Sequence, residues 1–252
     1  MRSAFLIPRV LAFAVFLWIP AFGLAQDTTH LPDGGTSTRV EGVELLPIPE
    51  MPLTGKSNIL WERTLPQGAT IATHLQATLA RDSQGRIYRE RRDFTPSEST
   101  TSTYIREILI LDPVAGSRTT CVAARKECII TSYMPRKHFT LPQPGWNRTQ
   151  TRFLSRENLG SDQVVGYNAE GTRDTVTIKA GVVGNDRTIV NTREFWYNTE
   201  LQLNVKVIRL EPEFGKQTVW LSDAMQSEPE ASLFLPPSGY AIRDARVKAG
   251  AE

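Results

Sequence analysis

Residues 201–210 are LQLNVKVIRL, and their alternation decides the fold class. Leucine and valine recur at every second position from 201 to 207, and glutamine, asparagine and lysine lie between them. Successive side chains of a β-strand point to opposite faces of its sheet, so this pattern predicts a strand with one buried face.

The same alternation recurs along the chain, as in residues 70–79, and turn residues such as those at 82–85 separate the apolar segments. Short strands joined by short turns predict a mainly β protein, a single strongly curved antiparallel sheet of about eight strands forming a half-barrel-like meander. Helices are predicted to be few and short. The one that we place is residues 151–159, which Gly160 would end.

Four parts divide the 252 residues. In residues 1–25, Arg2 and Arg9 accompany a short apolar run, and small residues precede Gln26, which predicts a signal peptide cleaved before Gln26. An uncleaved N-terminal anchor is the alternative. Residues 26–58 are rich in proline, glycine and threonine and predict a flexible tether. Residues 59–243 are the predicted β-rich domain, and residues 244–252 a disordered tail.

The charge balance argues against nucleic acid as a partner. The predicted signal peptide holds two arginines and no acid, so its removal leaves 27 basic and 27 acidic residues. A balanced chain has no electrostatic attraction to a polyanion. No second apolar stretch is long enough to span a bilayer after the signal is removed. We therefore expect an exported protein, periplasmic or secreted.

Two cysteines, Cys121 and Cys128, lie on two short predicted strands, residues 118–122 and 127–132. Residues 123–126 would form the turn and place the cysteines opposite each other, so a cross-strand disulfide is predicted. An oxidising compartment favours this bond. A redox or metal-binding pair is the alternative, although the spacing is not C-x-x-C.

No catalytic or metal-binding motif is found. The three histidines, His30, His74 and His138, are far apart in sequence and fit no ligand spacing, and no G-x-S-x-G elbow is present. We therefore predict a protein that is not an enzyme and has no cofactor. An enzyme whose residues converge only in space is the least favoured hypothesis.

Large aromatic residues supply the candidates for an apolar binding site. They are spread over several predicted strands, and core packing is the alternative explanation for them. The candidate lining residues are Trp61, Trp146, Trp196, Trp220 and Phe234. Arg89 and Arg91 share one side of a predicted strand and are candidate contacts for an anionic group. The alternative is a solvated hairpin arm with acidic neighbours across the strands.

An ordered series of short motifs resembles a family of uncharacterised exported bacterial proteins. The series is RDSQGR (81–86), ILDPV (110–114), ENLG (157–160), EFWY (194–197) and EPEASLF (228–234). This resemblance implies no activity and no catalytic residue. More loosely, the exported antiparallel meander is similar to the outer-membrane lipoprotein carrier (LolA-like) class, whose half-barrel encloses an apolar cavity plugged by helices.

Two functional hypotheses follow. The first is a non-enzymatic periplasmic protein that binds or carries an apolar ligand, either a lipid or an acyl chain. The second is a protein-interaction or envelope-sensing module that uses the curved sheet or an edge strand to bind another envelope protein. An internal cavity favours the first, and an unpaired strand edge favours the second.

Overall fold

The computed structural model describes residues 30–33, 40–99, 104–135 and 141–246, so the predicted signal peptide lies outside the described residues. The protein is mainly β, with one open, curved sheet, which confirms the predicted fold class. The described part of the chain forms 14 strands rather than about eight. They are β1 (Leu53–Thr64), β2 (Thr70–Arg81), β3 (Ile87–Arg92), β4 (Thr95–Pro96), β5 (Ile105–Asp112), β6 (Ser117–Val122), β7 (Glu127–Ser132), β8 (Gly145–Trp146), β9 (Arg152–Val164), β10 (Tyr167–Ile178), β11 (Ile189–Asn198), β12 (Leu203–Glu211), β13 (Gly215–Met225) and β14 (Ala241–Asp244).

Strand β1 lies near the middle of the sheet and joins two antiparallel meanders. On one side the order runs β2, β3, β5, β6 and β7, and on the other it runs β13, β12, β11, β10, β9 and β8. Strand β4 pairs with β2 outside this path. Strand β14 is the exception to the predicted antiparallel pattern, because it pairs in parallel with β7.

The alternation of side chains gives the sheet two unequal faces. The inner face carries the larger core, and β12 contributes Leu203, Val205 and Val207 to it, as residues 201–210 predict. The outer face carries a smaller cluster, to which β2 contributes Ala80 while its neighbour Leu79 points to the inner face. Because the inner face is curved and apolar, the fold needs something to cover it.

Much of the predicted tether covers that face, so the prediction of a flexible segment over residues 26–58 is wrong for the part that the structure describes. Val40, Val43 and Leu45 are buried in the inner core, and Leu31 joins them. Burying such a side chain contributes about 1.5–3 kcal/mol. Strand β1 also begins at Leu53, inside the predicted tether. We refer to residues 30–33 and 40–48 as the N-terminal segment.

Polar contacts fix the register of the N-terminal segment on the sheet. The amide of Val40 donates to the Gln217 Oε1 atom over 2.7 Å, and the amide of Val43 donates to the Ser57 hydroxyl over 2.9 Å. The Asn204 side chain makes two hydrogen bonds with Leu31. Its Oδ1 atom accepts from the Leu31 amide over 3.3 Å, and its Nδ2 atom donates to the Leu31 carbonyl over 2.8 Å. These side chains satisfy backbone groups of a segment that has only an isolated bridge at Val40, so the segment can be buried without being a strand.

Arg81 is the buried cation that holds the end of the N-terminal segment and the residues after it in place. Its guanidinium donates to the carbonyls of Met51 at 2.7 Å, Leu46 at 3.1 Å and Leu201 at 3.3 Å, and the residue is 1% exposed. Burial lowers the pKa of Arg81 to about 10. The group therefore stays charged at neutral pH, and its cost of burial is offset by three carbonyl contacts.

The predicted helix over residues 151–159 is wrong, because residues 152–159 belong to β9. Gly160 does not end a helix; it lies within β9 with φ of 77°, where the register to β10 shifts. The hairpin turn is at Val165 and Gly166, both with positive φ. The sequence of β9 lacks the apolar alternation that predicts a strand, because its inner face carries the charged Arg156, which binds Asp174 of β10.

The predicted hairpin with the cysteines is confirmed. Cys121 of β6 lies directly opposite Cys128 of β7, and the two form a disulfide. Both cysteines are buried in the outer cluster. Phe234, the last residue of a short 3-10 helix (Ala231–Phe234), belongs to the same cluster. Asp244 lies in β14, so the predicted disordered tail begins inside a strand, and residues 247–252 lie outside the described residues.

Replacing Arg81 tests how the N-terminal part of the domain is held. An Arg81→Met variant keeps the apolar stem but leaves three inward carbonyls without their donor, and we expect the free energy of unfolding to fall by about 3 kcal/mol or more. The measurement is urea unfolding followed by tryptophan fluorescence. Arg106→Met is the matched control, since Arg106 is half exposed and its contact with Asp93 is 3.6 Å long. Equal losses in the two variants would contradict this role of Arg81.

Candidate functional site

A groove of about 420 Å³ lies on the inner face of β9, β10 and β11. Antiparallel register sets its floor in rows that cross the three strands. One row is Leu154, Val176 and Asn191, and the next is formed by Arg156, Asp174 and Arg193. Ile178 extends the apolar part of the floor toward the end of β10.

Two stretches without strand pairing form the walls of the groove. The N-terminal segment supplies His30, Pro32 and Asp33, and Leu141 and Pro142 line the groove from the chain before β8. The His30 ring stacks on the Phe195 ring, with centroids 3.8 Å apart and planes 9° from parallel. Among the described residues, the N-terminal segment fills the inner face on one side, and none of them fills the groove over β9 to β11.

The charged residues below the groove are paired with one another. Arg156 donates to both carboxylate oxygens of Asp174, over 2.6 and 2.7 Å. Arg193 lies 3.3 Å from Asp33 and also 3.3 Å from Glu211. Arg209, which is 1% exposed, donates to Glu211 over 2.7 Å. This row is a compensated ionic network, so it fixes the strands without presenting an isolated charge to the groove.

Burial determines the protonation state of His30. The residue is 1% exposed, and desolvation lowers its pKa below the usual value, although the Leu31 carbonyl and Asp174 act in the opposite direction. The Nδ1 atom lies 2.9 Å from the Leu31 carbonyl, which can only accept, so Nδ1 carries the proton of the neutral ring. The Nε2 atom is then an acceptor.

The five aromatic candidates lie in separate places, and none of them lines this groove. Trp61 lies on the inner face, donates to the Phe214 carbonyl over 2.6 Å and contacts Phe94 edge-on. Trp146 is 51% exposed on the short edge strand β8, where it contacts Phe153. These two side chains are far apart in the strand order of the sheet.

The other three candidates lie on the outer face. Trp196 and Trp220 are both paired with Lys206, which lies between them across the sheet. The Trp196 indole also covers Gly171, where a Cβ atom would approach it to 2.7 Å. Phe234 packs in the outer cluster beside the disulfide. The structure thus gives these side chains packing contacts and leaves their predicted role in binding a ligand as a prediction.

Arg89 and Arg91 are brought together, but their partners are acids of the same chain. Arg89 donates to Glu44 over 3.0 Å, and Arg91 donates to Glu107 over 2.9 Å and also to Glu41. Two of these acids belong to the N-terminal segment. The cluster therefore attaches that segment to β3, and its predicted contact with an external anion stays a prediction.

The groove residues that sequence analysis missed are mostly aliphatic. Leu154, Val176 and Ile178 are ordinary strand residues in the sequence, and only the register places them in one floor. Phe195 belongs to the EFWY motif and pairs with Val207, whereas the register pairs its larger neighbour Trp196 with Lys206 on the other face. Alternation within β11 is the one signal that separates these two neighbours.

No protein-family model matches this sequence, and no curated protein matches it. Among solved structures, an uncharacterised conserved protein from Thermus thermophilus is similar, with a TM-score of 0.42, 9% identity and coverage of 77% of this chain and 91% of that one. The MucA/MucB complex of Pseudomonas aeruginosa gives a TM-score of 0.37 and 10% identity, covering 73% of this chain and 55% of that one. Lipoprotein LppX of Mycobacterium tuberculosis gives 0.25 and 9%, covering 71% and 88%.

These TM-scores and identities are too low to support a functional assignment. The resemblance to exported bacterial proteins and to the lipoprotein carrier class therefore stays a prediction. Across the described ranges of the chain, no helix is long and apolar enough to cross a membrane.

The lowered pKa of His30 predicts a loss of stability in mild acid. The unfolded chain takes up a proton at the usual histidine pKa of about 6.5, whereas the folded state resists protonation until lower pH. The contribution of His30 to stability is thus complete above about pH 6.5 and is lost as the pH falls toward the folded pKa. Between about pH 7.5 and pH 5.5, the unfolding free energy of the wild type should fall more than that of a His30→Phe variant.

Phenylalanine preserves the stack on Phe195 and removes the titration, so the comparison isolates the proton. His74→Phe is the control, because His74 lies on β2 and is only partly buried. Urea unfolding at several pH values gives the comparison. Parallel pH profiles for the wild type and the His30→Phe variant would rule out this linkage.

Proposed function

We propose that this protein binds an apolar ligand, a lipid or an acyl chain, in the groove over β9, β10 and β11, without catalysing a reaction on it. The observation that carries the proposal is the open apolar floor of Leu154, Val176 and Ile178 beside the buried Phe195. Its volume of about 420 Å³ lies in the range of small-molecule sites, about 300–1,000 Å³. Apolar surface that the described residues leave uncovered on an inner face is stabilised by an apolar occupant.

Location outside the cytoplasm belongs to the same proposal. The Cys121–Cys128 disulfide supports an oxidising compartment, and residues 1–25 have the pattern of an export signal. A lipid-binding protein in the periplasm would meet its ligand at a membrane surface. The ionic network below the groove would keep the three strands in register whether or not a ligand is bound.

One observation favours the second candidate function, the binding of another envelope protein by an edge strand. Strand β8 covers only Phe153 and Leu154 of β9, although β9 runs to Val164. In the part of the chain that the structure describes, residues 155–164 therefore have a strand neighbour on one side only. Such an edge accepts an added strand, although Gly160 and the charged side chains of β9 oppose regular pairing.

The test is native mass spectrometry of the protein purified from a periplasmic fraction without detergent. We expect a bound mass that organic solvent extracts and that fragments as a lipid. A Val176→Asp variant places a carboxylate in the floor of the groove and should weaken lipid binding about thirtyfold, corresponding to about 2 kcal/mol. Thr175→Asp is the matched control, since the adjacent residue points to the outer face and should leave binding unchanged.

Thermal unfolding establishes that both variants fold, and Leu154→Gln replaces Val176→Asp if that variant does not. A protein that carries no lipid and takes up none from vesicles of envelope phospholipid would overturn the proposal. Equal binding by the Val176→Asp and Thr175→Asp variants would place the ligand elsewhere. A co-purifying protein lost on substitution within residues 155–164 would instead favour the edge-strand function.

A further inference from the structure

Apart from the Asp33 carboxylate, which forms an ion pair with Arg193, two polar atoms of the groove have no hydrogen-bond partner among the described residues. They are the Nε2 atom of His30 and the Oδ1 atom of Asn191, and both atoms are buried from solvent. Both residues line the same groove. A buried polar atom without a partner destabilises the protein, so each of these atoms marks a place where a ligand could supply the missing bond.

Both atoms are acceptors. The Nδ1 proton of His30 is donated to the Leu31 carbonyl, which leaves Nε2 with a lone pair, and Oδ1 of Asn191 is a carbonyl oxygen. The nearest carboxylate cannot satisfy His30, because the Asp174 oxygen 3.9 Å away is itself an acceptor and is bound by Arg156. The missing partners are therefore hydrogen-bond donors.

The charges around the His30 Nε2 and Asn191 Oδ1 atoms do not favour an anionic group beside these two atoms. Asp174 is compensated by Arg156, and Arg193 is shared between Asp33 and Glu211. Arg152 also lines the groove, but it is an exposed residue at the start of β9, away from the buried His30. A buried carboxylate or phosphate would meet two lone pairs and no uncompensated cation, which repels it.

From these contacts we infer that the ligand is an uncharged lipid with a hydroxyl-bearing head, whose O–H groups donate to the His30 Nε2 and Asn191 Oδ1 atoms. This inference rests on the proposed function, because it concerns the ligand class of the same groove. The apolar floor would hold the acyl chain, and the two acceptors would select a head with at least two donors. A glycerol monoester has this chemistry, and the corresponding methyl ester lacks both hydroxyls.

A competition experiment tests the choice of head group at constant acyl chain. The full chain is mixed with equal concentrations of monooleoylglycerol, methyl oleate and oleate, and native mass spectrometry measures the occupancy by each. For the wild type we expect monooleoylglycerol to bind about tenfold better than methyl oleate or oleate. A His30→Phe/Asn191→Leu variant removes both acceptors and should bind methyl oleate at least as well as monooleoylglycerol.

The control is Val190→Leu, on the same strand but on the opposite face, and it should keep the wild-type preference. If the double variant does not fold, Asn191→Leu alone is used and should reduce the preference. Equal occupancy by the three probes, or dominance of oleate, would overturn the inference and leave the proposed lipid binding in place. Absence of every probe from the wild type would defeat the proposed function, and the inference with it.

Discussion

The fold depends on the contact between the N-terminal segment and the inner face of the sheet. An open sheet of this curvature has an apolar inner face that must be covered, and here Val40, Val43 and Leu45 cover it from within the chain. Val40 and Val43 join the core outside any strand because side chains of the sheet bind their backbone amides. Arg81 then ties the following residues to β2, so the segment and the sheet are stabilised together.

The groove is the part of the inner face that this segment does not cover. His30 and Asp33 form its border, and no other described residue covers the floor of β9 to β11 between this border and Leu141. The same residues that complete the core on one side therefore set the position of the binding site on the other. A change in how His30 packs on Phe195 would alter both the edge of the core and the wall of the groove.

Local patterns predicted a large share of the fold. Alternation in residues 201–210 identifies β12, and the spacing of Cys121 and Cys128 identifies a hairpin, because both signals are complete within a few residues. The N-terminal segment was missed because prolines exclude a long strand there, and a segment can still bury side chains without one. Its partners lie far along the chain. Leu31, for example, binds Asn204, so no local pattern contains both residues of the contact.

The candidate site was less predictable than the fold, for a related reason. Aromatic size selects Trp196 and Trp220, but these residues lie on the outer face, where Lys206 separates them. The groove is built from Leu154, Val176 and Asn191, which meet only through the register of three strands. Residue type alone cannot provide this information, because the pairing of β10 with β9 and with β11 decides which residues are neighbours.

The long separation between the N-terminal segment and its partners also imposes an order on folding. Leu31 and Val40 bind side chains 173 and 177 residues further along, on β12 and β13. A chain that emerges with its N-terminus first must therefore hold these apolar residues exposed until nearly the whole domain has been released. Contacts of such high sequence separation form slowly. During that interval the nascent protein is most exposed to aggregation and most dependent on a chaperone.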